Sequence, residues 1–188
     1  RLGIDYVDLY YLHKPDTGTP IIETLKALQD AIKAGKIRHF GVSNYSAGQL
    51  SDLLSAADAN GLPRPVIIQP GMSLLKQDAC VDLLPLCAKE GIAAAPYQVL
   101  QGGLLTGKYR RGEGIPAGSR KEEKDGWVWD LEDSVFDRLE VIERDASAAG
   151  LSMTQYAINW ALNQPAVISP IIGVKREEQV DEAAVTRG

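Results

Sequence analysis

Strand-like and helix-like segments alternate along this chain of 188 residues, and this alternation constrains its fold more than any other feature. Runs rich in β-branched and aromatic residues are followed by amphipathic stretches, several of which end at a glycine suited to a helix C-terminus. The strand-helix unit recurs about every 30 residues. Because a parallel connection must return along the strand that it leaves, this spacing predicts βαβ crossovers and a parallel sheet.

The elements can be placed along the chain from these patterns. The predicted strands are residues 6–12, 38–42, 66–69, 92–97 and 167–172. The predicted helices are residues 20–34, 47–60, 79–90, 133–149, 153–163 and 177–185, and a glycine-rich loop is predicted over residues 98–130. Pro20 suits the first position of its helix, and Ser152 with Gln155 predicts a capping box. The pattern indicates an α/β protein.

Two closures of a parallel sheet remain open, a doubly wound open sheet and a (β/α)₈ barrel. No G-x-G-x-x-G follows a predicted strand, which removes the usual support for a dinucleotide-binding open sheet. In both architectures the reactive residues collect at the carboxyl ends of the strands. The strand ends therefore supply the candidate site residues.

Composition and charge exclude several classes of function. With 45% hydrophobic and 24% charged residues, the chain has the composition of an average globular domain. Its net charge of −5 is not gathered into a basic block, so we expect no nucleic acid partner and no membrane insertion. Cys80 and Cys87 predict a reducing, cytoplasmic setting, and no metal-ligand spacing is present in the sequence. Arg1 to Gly3 resembles the end of a helix, so we expect a piece of a longer protein.

Polar and aromatic residues stand where the predicted strands end. His13 follows the first strand, Ser43 and Asn44 follow the second, Gln69 ends the third and Tyr97 ends the fourth. As alternatives, His13 can be an ordinary loop residue, Ser43 and Asn44 can cap the next helix, and Tyr97 can pack in the core. Gln69 is harder to explain in this way, because a buried amide needs partners. We expect a site of hydrogen-bonding amides with one aromatic ring.

Three other aromatic or basic side chains carry weaker signals. His39 lies on a predicted strand beside Phe40 and is interpreted as structural. Trp127 and Trp129 lie in the stretch DGWVWD and are interpreted as anchors of their loop. The wall of a substrate pocket is the alternative for the two tryptophans.

Two stretches suit an anion. The glycines of QGGLLTGKYRRGEGIPAGSR permit close backbone approach, while Lys108 and Arg120 supply positive charge. GVKREEQ places Lys175 and Arg176 directly before a helix N-terminus, where free N–H groups and the helix dipole favour an anion. A solvated basic turn is the alternative for each stretch, whereas the two together suit a long nucleotide.

A family resemblance rests on five motifs that occur in order along essentially the whole chain. They are DLYYLHKPD, KAGKIRHFGVSN, IIQP, GLLTGKY with IPAGSR, and SPIIGVKREEQVDEA. Together they resemble the aldo-keto reductases, and the loop before Trp127 resembles the branch of the potassium channel β subunits and bacterial aldehyde reductases. The resemblance implies a (β/α)₈ TIM barrel, of which the chain carries about the last five βα units. It also implies one domain over residues 1–188 that is incomplete at the N-terminus and at the C-terminus.

The resemblance implies NADPH-dependent reduction of an aldehyde or ketone by hydride transfer. His13 falls on the family's active-site histidine, which orients the carbonyl and assists proton donation. The residues implied to bind the cofactor are Ser43, Asn44 and Gln69 at the nicotinamide carboxamide, Tyr97 at the ring with Gln98 beside it, Leu100, Leu104, Lys108 and Arg120 at the diphosphate, and Gly173, Lys175, Gln179 and Glu182 at the adenosine and its 2′-phosphate. Lys175 favours NADPH over NADH, because a cation gains more from the additional phosphate.

The sequence departs from the family pattern at several positions. The family's Asp, Tyr and Lys, of which the tyrosine is the proton donor, lie upstream of the His13 strand. Gln98 and Val99 stand where a serine and a proline are usual, and Met72 stands where an aromatic residue often occurs. Ala183 replaces an asparagine that contacts the adenine. These differences leave cofactor binding as the expectation and the substrate open.

Three functions follow from the resemblance. The preferred one is an NADPH-dependent oxidoreductase that is active at full length and inactive as these 188 residues alone. The alternatives are an NADPH-binding regulatory or scaffold subunit and a truncated remnant that lacks the Asp, Tyr and Lys of the active site. The expected partner is a small-molecule carbonyl substrate, and assembly into an oligomer is left open.

Overall fold

A parallel sheet organises the first part of the chain. In the computed structural model, which describes residues 3–124, 126 and 128–184, four strands are ordered β1, β2, β3, β4. They are β1 (Val7–Leu12), β2 (Ile37–Ser43), β3 (Ile67–Gln69) and β4 (Ala93–Ala94). All three strand pairs are parallel. The sheet confirms the predicted α/β architecture.

Helices follow the strands and fill the second part of the chain. The α-helices with bounds given by the structure are α1 (Ile21–Lys33), α2 (Ala47–Asn60), α3 (Asp78–Val81), α4 (Leu83–Glu90), α5 (Arg120–Glu123), α6 (Asp133–Ala148), α7 (Met153–Leu162) and α8 (Glu177–Ala183). A 3₁₀ segment spans Gln101–Thr106. The predicted capping box of Ser152 and Gln155 at the start of α7 is confirmed.

The chain divides into two compact units. The sheet unit comprises residues 1–70, 78–95 and 165–168, and it contains β1 to β4 with α1 to α4. The helical unit comprises residues 71–77, 96–164 and 169–188, and it contains the 3₁₀ segment with α5 to α8. The prediction of a single domain stays a prediction.

Each unit has its own buried core. In the sheet unit the even-numbered side chains Phe40, Val42 and Ile68 are buried, as are Leu25 of α1 and Leu50 of α2. Burying a side chain of this size contributes about 1.5–3 kcal/mol to folding. The core of the helical unit includes Leu104, Leu105, Tyr109, Phe136, Leu139, Met153 and Ala157. Phe40, Val42 and Ile68 are thus core residues of the sheet unit.

The single helix predicted over residues 79–90 is wrong, because the structure has α3 and α4 with a break at Asp82. Pro85 has no N–H to donate, and its ring collides with the carbonyl four residues earlier. The helix therefore restarts at Leu83, which leaves Pro85 in a first turn where no donor is needed. Pro20 is likewise the residue before α1, not its first helical residue.

The last two predicted strands are much shorter in the structure. β4 has two residues, and Val167 joins the sheet through an isolated bridge to Ala94. Pro96 and Pro170 have no N–H to donate to a ladder, so the regular ladder is interrupted at them. The predicted loop over residues 98–130 contains the 3₁₀ segment and α5. Val185, the end of the last predicted helix, and Trp127 lie outside the described residues.

Candidate functional site

Polar side chains of the sheet unit gather at the carboxyl ends of its first three strands. Because side chains alternate along a strand, His13, Ser43 and Gln69 belong to the odd-numbered face. Ser43 is 1% exposed, and its hydroxyl donates to the backbone oxygen of Gln69 at 2.8 Å. His13 is exposed directly after β1. The structure therefore places the three predicted residues on one edge of one sheet.

Asn44 ties two of these strand ends together. Its Nδ2 donates to the backbone oxygen of His13 at 2.8 Å and to Oγ of Ser43 at 3.2 Å. Its φ of 61° is left-handed, a conformation that asparagine tolerates better than most residues. The alternative that Ser43 and Asn44 cap α2 is wrong, because Ser46 and Gln49 form a capping box there. Asn44 instead holds the backbone of His13.

Tyr11 holds the side chain of Gln69, which the sequence did not indicate. Its ring crosses Gly41 on β2, since a Cβ built on Gly41 would lie 2.8 Å from Cε1 of Tyr11. The Tyr11 hydroxyl forms a hydrogen bond with the Gln69 side chain. Burial raises the pKa of Tyr11, and the bond to Gln69 lowers it by less. The signal available in the sequence was a glycine inside a strand, which marks a close approach.

Within the helical unit, Tyr97 packs on a glycine. Gly71 and Tyr97 form a parallel bridge, and the N–H of Met72 donates to the oxygen of Tyr97 at 3.1 Å. A Cβ built on Gly71 would lie 3.1 Å from both Cζ and the hydroxyl oxygen of Tyr97. The ring is half-buried, so one part of it packs and another part is accessible.

The glycine-rich segment after Tyr97 has an unusual backbone. Gln98 and Gln101 have left-handed φ values of 58° and 46°, and Gly102 and Gly103 have φ values of 65° and 99°. Left-handed residues that carry a Cβ are uncommon and tend to occur at functional sites. The segment between Tyr97 and Leu104 is thus shaped by its backbone, as a phosphate-binding loop would be.

The predicted diphosphate residues occupy different environments in the helical unit. Leu104 is fully buried in the hydrophobic core, whereas Leu100 is partly buried. The ammonium of Lys108 lies 2.8 Å from a Cβ built on Gly103, and 5.3 Å from the ring centre of Tyr109. Arg120 is the first residue of α5 and is half-buried.

Lys175 is an exposed cation with an acidic neighbour. Its Nζ donates to Oε1 of Glu123 at 2.6 Å and to the oxygen of Gly118 at 3.4 Å. The Lys175 ammonium lowers the pKa of the Glu123 carboxyl, first through this hydrogen bond and then through its charge. A phosphate that approaches Lys175 would therefore compete with an ionised glutamate.

The remaining predicted adenosine residues make hydrogen bonds near α8. The side-chain oxygen of Gln179 accepts from the N–H of Lys175 at 2.7 Å and from that of Arg176 at 3.2 Å. The hydroxyl of Ser152 donates to Glu182 at 2.9 Å. Gly173 is exposed. Gln179 and Glu182 thus fix the Lys175 turn and α8 in place.

Two kinds of feature are absent from the described part of the chain. No group of three or more His, Cys, Asp and Glu side chains there is arranged to hold a metal ion. None of the helices in that part combines the length and the apolar composition needed to cross a membrane.

Comparison with known proteins gives one consistent picture. The model of the aldo/keto reductase family matches residues 1–185. A probable voltage-gated potassium channel subunit beta from Arabidopsis thaliana is 36% identical, covering 97% of this chain and 56% of that protein. An L-glyceraldehyde 3-phosphate reductase from Escherichia coli is 34% identical, covering 97% of this chain and 54% of that protein. The chain spans about half the length of the curated relatives it matches.

A solved structure shares the fold. The glycerol dehydrogenase from Gluconobacter oxydans matches with a TM-score of 0.78 and 28% identity, covering 97% of this chain and 55% of that chain. This likeness confirms the predicted barrel class of fold, and the relatives confirm the predicted branch.

Proposed function

The chain belongs to the aldo/keto reductase family, and from that premise we propose that the full-length protein is a cytoplasmic, NADPH-dependent reductase of aldehydes or ketones. The observation that carries the proposal is the hydrogen-bonded edge of the sheet unit, where Asn44 holds His13 and Ser43 holds Gln69. A histidine with a fixed backbone, beside the amide side chains of Asn44 and Gln69, suits a carbonyl substrate next to a carboxamide.

The sheet unit supplies groups for the nicotinamide end of the cofactor. Asn44 carries a side-chain amide at this edge, a group that has both donor and acceptor atoms, and its Nδ2 donates within the protein. Gln69 offers a second amide, held by Tyr11. Ser43 completes the set by fixing the Gln69 backbone. These residues fit a nicotinamide, because a carboxamide needs both a donor and an acceptor.

The helical unit supplies groups for the ring, the diphosphate and the adenosine. Tyr97 presents an aromatic ring, and the backbone from Gln98 to Leu104 with Lys108 and Arg120 suits a diphosphate. We assign the 2′-phosphate to Lys175 and the adenosine to Gly173, Gln179 and Glu182. Cations and backbone N–H groups are the partners that phosphates select in proteins.

The chemistry divides between the cofactor and the protein. When bound, the reduced nicotinamide supplies the hydride. His13 orients the carbonyl oxygen and assists delivery of a proton to it as negative charge develops. We assign the proton itself to a tyrosine outside these residues, with an aspartate and a lysine that lower its pKa, as the family resemblance implies. His13 is then this chain's contribution to the catalytic group.

The test is turnover by the full-length protein. We expect loss of NADPH absorbance that depends on both the protein and an added aldehyde, such as a short aliphatic or aromatic aldehyde. Binding of NADPH without turnover on any aldehyde or ketone of a broad panel would contradict the enzymatic proposal.

A second candidate is an NADPH-binding regulatory subunit, which the Arabidopsis relative named as a potassium channel subunit favours. Such a protein would bind NADPH through the same residues, and turnover would be incidental. The panel assay separates the two candidates, because only the reductase is expected to turn over many times.

Lys175 is expected to set the preference for NADPH over NADH. Lys175→Ala in the full-length protein should raise the Kd for NADPH about 10- to 100-fold and leave that for NADH within about threefold, since it removes a charge-assisted bond to the extra phosphate. Titration with each cofactor measures both values. Lys33→Ala is the matched control, because Lys33 is an exposed lysine at the end of α1 in the sheet unit. Equal weakening of both cofactors would contradict the assignment.

Gly71 is expected to keep the Tyr97 ring in place. In Gly71→Ala the new Cβ would approach the ring at 3.1 Å, so the ring must shift by a few tenths of an ångström. We expect the Kd for NADPH to rise about three- to tenfold with little change in the melting temperature, because aromatic contacts depend on ring geometry. Gly114→Ala is the control, since no atom lies within 4 Å of its added Cβ. If Gly71→Ala bound NADPH with unchanged affinity, the assignment of Tyr97 to cofactor binding would be contradicted.

A further inference from the structure

A buried side-chain pair anchors the glycine-rich segment of the helical unit. Ser73 is 0% exposed and Gln101 is 4% exposed, and Oγ of Ser73 lies 2.8 Å from Oε1 of Gln101. Oγ of Ser73 also accepts from the N–H groups of Leu75 at 3.2 Å and Lys76 at 3.1 Å. A hydroxyl has two acceptor positions and one proton, so the proton of Ser73 is donated to Gln101. The pair therefore has a defined direction.

Gln101 needs such an anchor because of its backbone. Its φ of 46° is left-handed, which is unfavourable for a residue with a Cβ. The preceding residue, Leu100, has φ −94° and ψ 8°, so the two residues change from right-handed to left-handed conformation. Successive N–H groups in that arrangement form a concavity that binds anions. Here the N–H of Gln101 is donated to the oxygen of Gln98 at 2.7 Å, so the groups considered for an anion are those of its neighbours Leu100 and Gly102. The bond from Ser73 thus holds the residue on which the concavity depends.

The rest of the segment is also fixed. Leu104 and Leu105 are fully buried in the core that follows, and the Thr106 hydroxyl donates to the oxygen of Gly103 at 2.8 Å. Gly102 and Gly103 lie between the two anchored ends, and the Lys108 side chain lies beside Gly103. A segment with two anchored ends is organised before any ligand arrives.

We propose that Ser73 is a positioning residue, which acts through Gln101 to preorganise the backbone N–H groups of Leu100 and Gly102 for the cofactor diphosphate. The inference rests on the proposed function, because it assumes that this segment binds NADPH. Ser73 itself touches no ligand in this account. Its effect on affinity comes from keeping Gln101 in a conformation that an unanchored residue would leave.

The test compares three ligands on variants of the full-length protein. NADPH and 2′-phospho-ADP-ribose contain the diphosphate, whereas adenosine 2′-phosphate does not. We expect Ser73→Ala to weaken the first two about tenfold and to leave the third within about twofold, as loss of one buried hydrogen bond would. Gln101→Leu, which keeps Ser73 and its two backbone partners, should do the same. Ser55→Ala on α2 is the matched serine control, since Ser55 is exposed and its hydroxyl donates to the backbone oxygen of Ser51 on the same helix.

A rescue variant separates positioning from general stability. Glycine adopts left-handed conformations readily, so adding Gln101→Gly to Ser73→Ala should recover most of the lost affinity for NADPH. Absence of rescue, equal weakening of adenosine 2′-phosphate, unchanged NADPH affinity in folded variants, or failure of both single variants to fold would each overturn the inference. A wild-type protein that binds none of the three ligands would instead contradict the proposed function, and this inference with it.

Discussion

His13→Ala in the full-length protein is expected to lower kcat about 100- to 10,000-fold while changing the Kd for NADPH less than about threefold. The reason is that the backbone and the side chain of His13 have different roles. Its backbone oxygen is held by Asn44, which survives the substitution, whereas its exposed side chain is the group assigned to the carbonyl. Steady-state turnover and an NADPH titration on the same preparation measure the two quantities.

Gln69→Ala is the converse variant, and His39→Ala is the control. Gln69 is assigned to the carboxamide, so its loss should raise the Kd for NADPH about tenfold or more. The chain has two histidines, and the second, His39, lies near the start of β2 and not at its carboxyl end. We expect His39→Ala to change kcat less than about threefold. If His13→Ala and Gln69→Ala each reduced turnover and affinity to the same degree, the division of roles would be wrong.

Gly41→Ala is expected to destabilise the sheet unit by about 1–3 kcal/mol, the range for forcing extra volume into a packed site. The added Cβ would lie 2.7 Å from Cγ2 of Ile67, 2.8 Å from its backbone oxygen and 2.8 Å from Cε1 of Tyr11. A backbone oxygen in a sheet cannot move aside as a flexible side chain can. Equilibrium urea denaturation measures the free energy of unfolding.

Gly48→Ala is the matched control, and it is expected to raise the free energy of unfolding where Gly41→Ala lowers it. Gly48 lies near the start of α2, where the nearest atom to an added Cβ is Oγ of Ser46 at 3.9 Å. Alanine in a helix should stabilise the protein by about 0.5–1 kcal/mol. Cys87 reports the unfolding, because it is fully buried and burial raises its pKa to about 11. The Cys87 thiol should react slowly with a thiol reagent in the native protein and faster in Gly41→Ala. If Gly41→Ala and Gly48→Ala had the same free energy of unfolding, the close packing of Tyr11, Gly41 and Ile67 would be contradicted.

Local signals in the sequence were sufficient for the long helices. α2 matches its predicted residues 47–60, because Gly61 ends it in a left-handed conformation and a capping box starts it. The polar strand ends were also predictable, since parallel strands place their carboxyl ends at one edge. The tertiary partners of the strands were not predictable. Val167 has a strand-like sequence, but it forms an isolated bridge and no regular strand, because its neighbour β4 is two residues long.

The contacts that shape the site join residues far apart in the sequence. Tyr11 bonds to Gln69 and Ser73 bonds to Gln101, and neither pair has a local pattern that would reveal it. The left-handed Gln98 and Gln101 were equally hidden, since glutamine has no preference for that conformation. The sequence could thus predict which strand ends matter, whereas the residues that hold the site in place required the structure.

NADPH binding by the full-length protein underlies both proposed functions, and a titration with NADPH, followed by nucleotide fluorescence, tests it. We predict saturable binding of one NADPH per chain, weakened by Gln69→Ala and by Lys175→Ala and unchanged by Lys33→Ala. Absence of binding at about 1 mM NADPH, the upper end of ordinary substrate constants, would contradict both the reductase and the regulatory subunit.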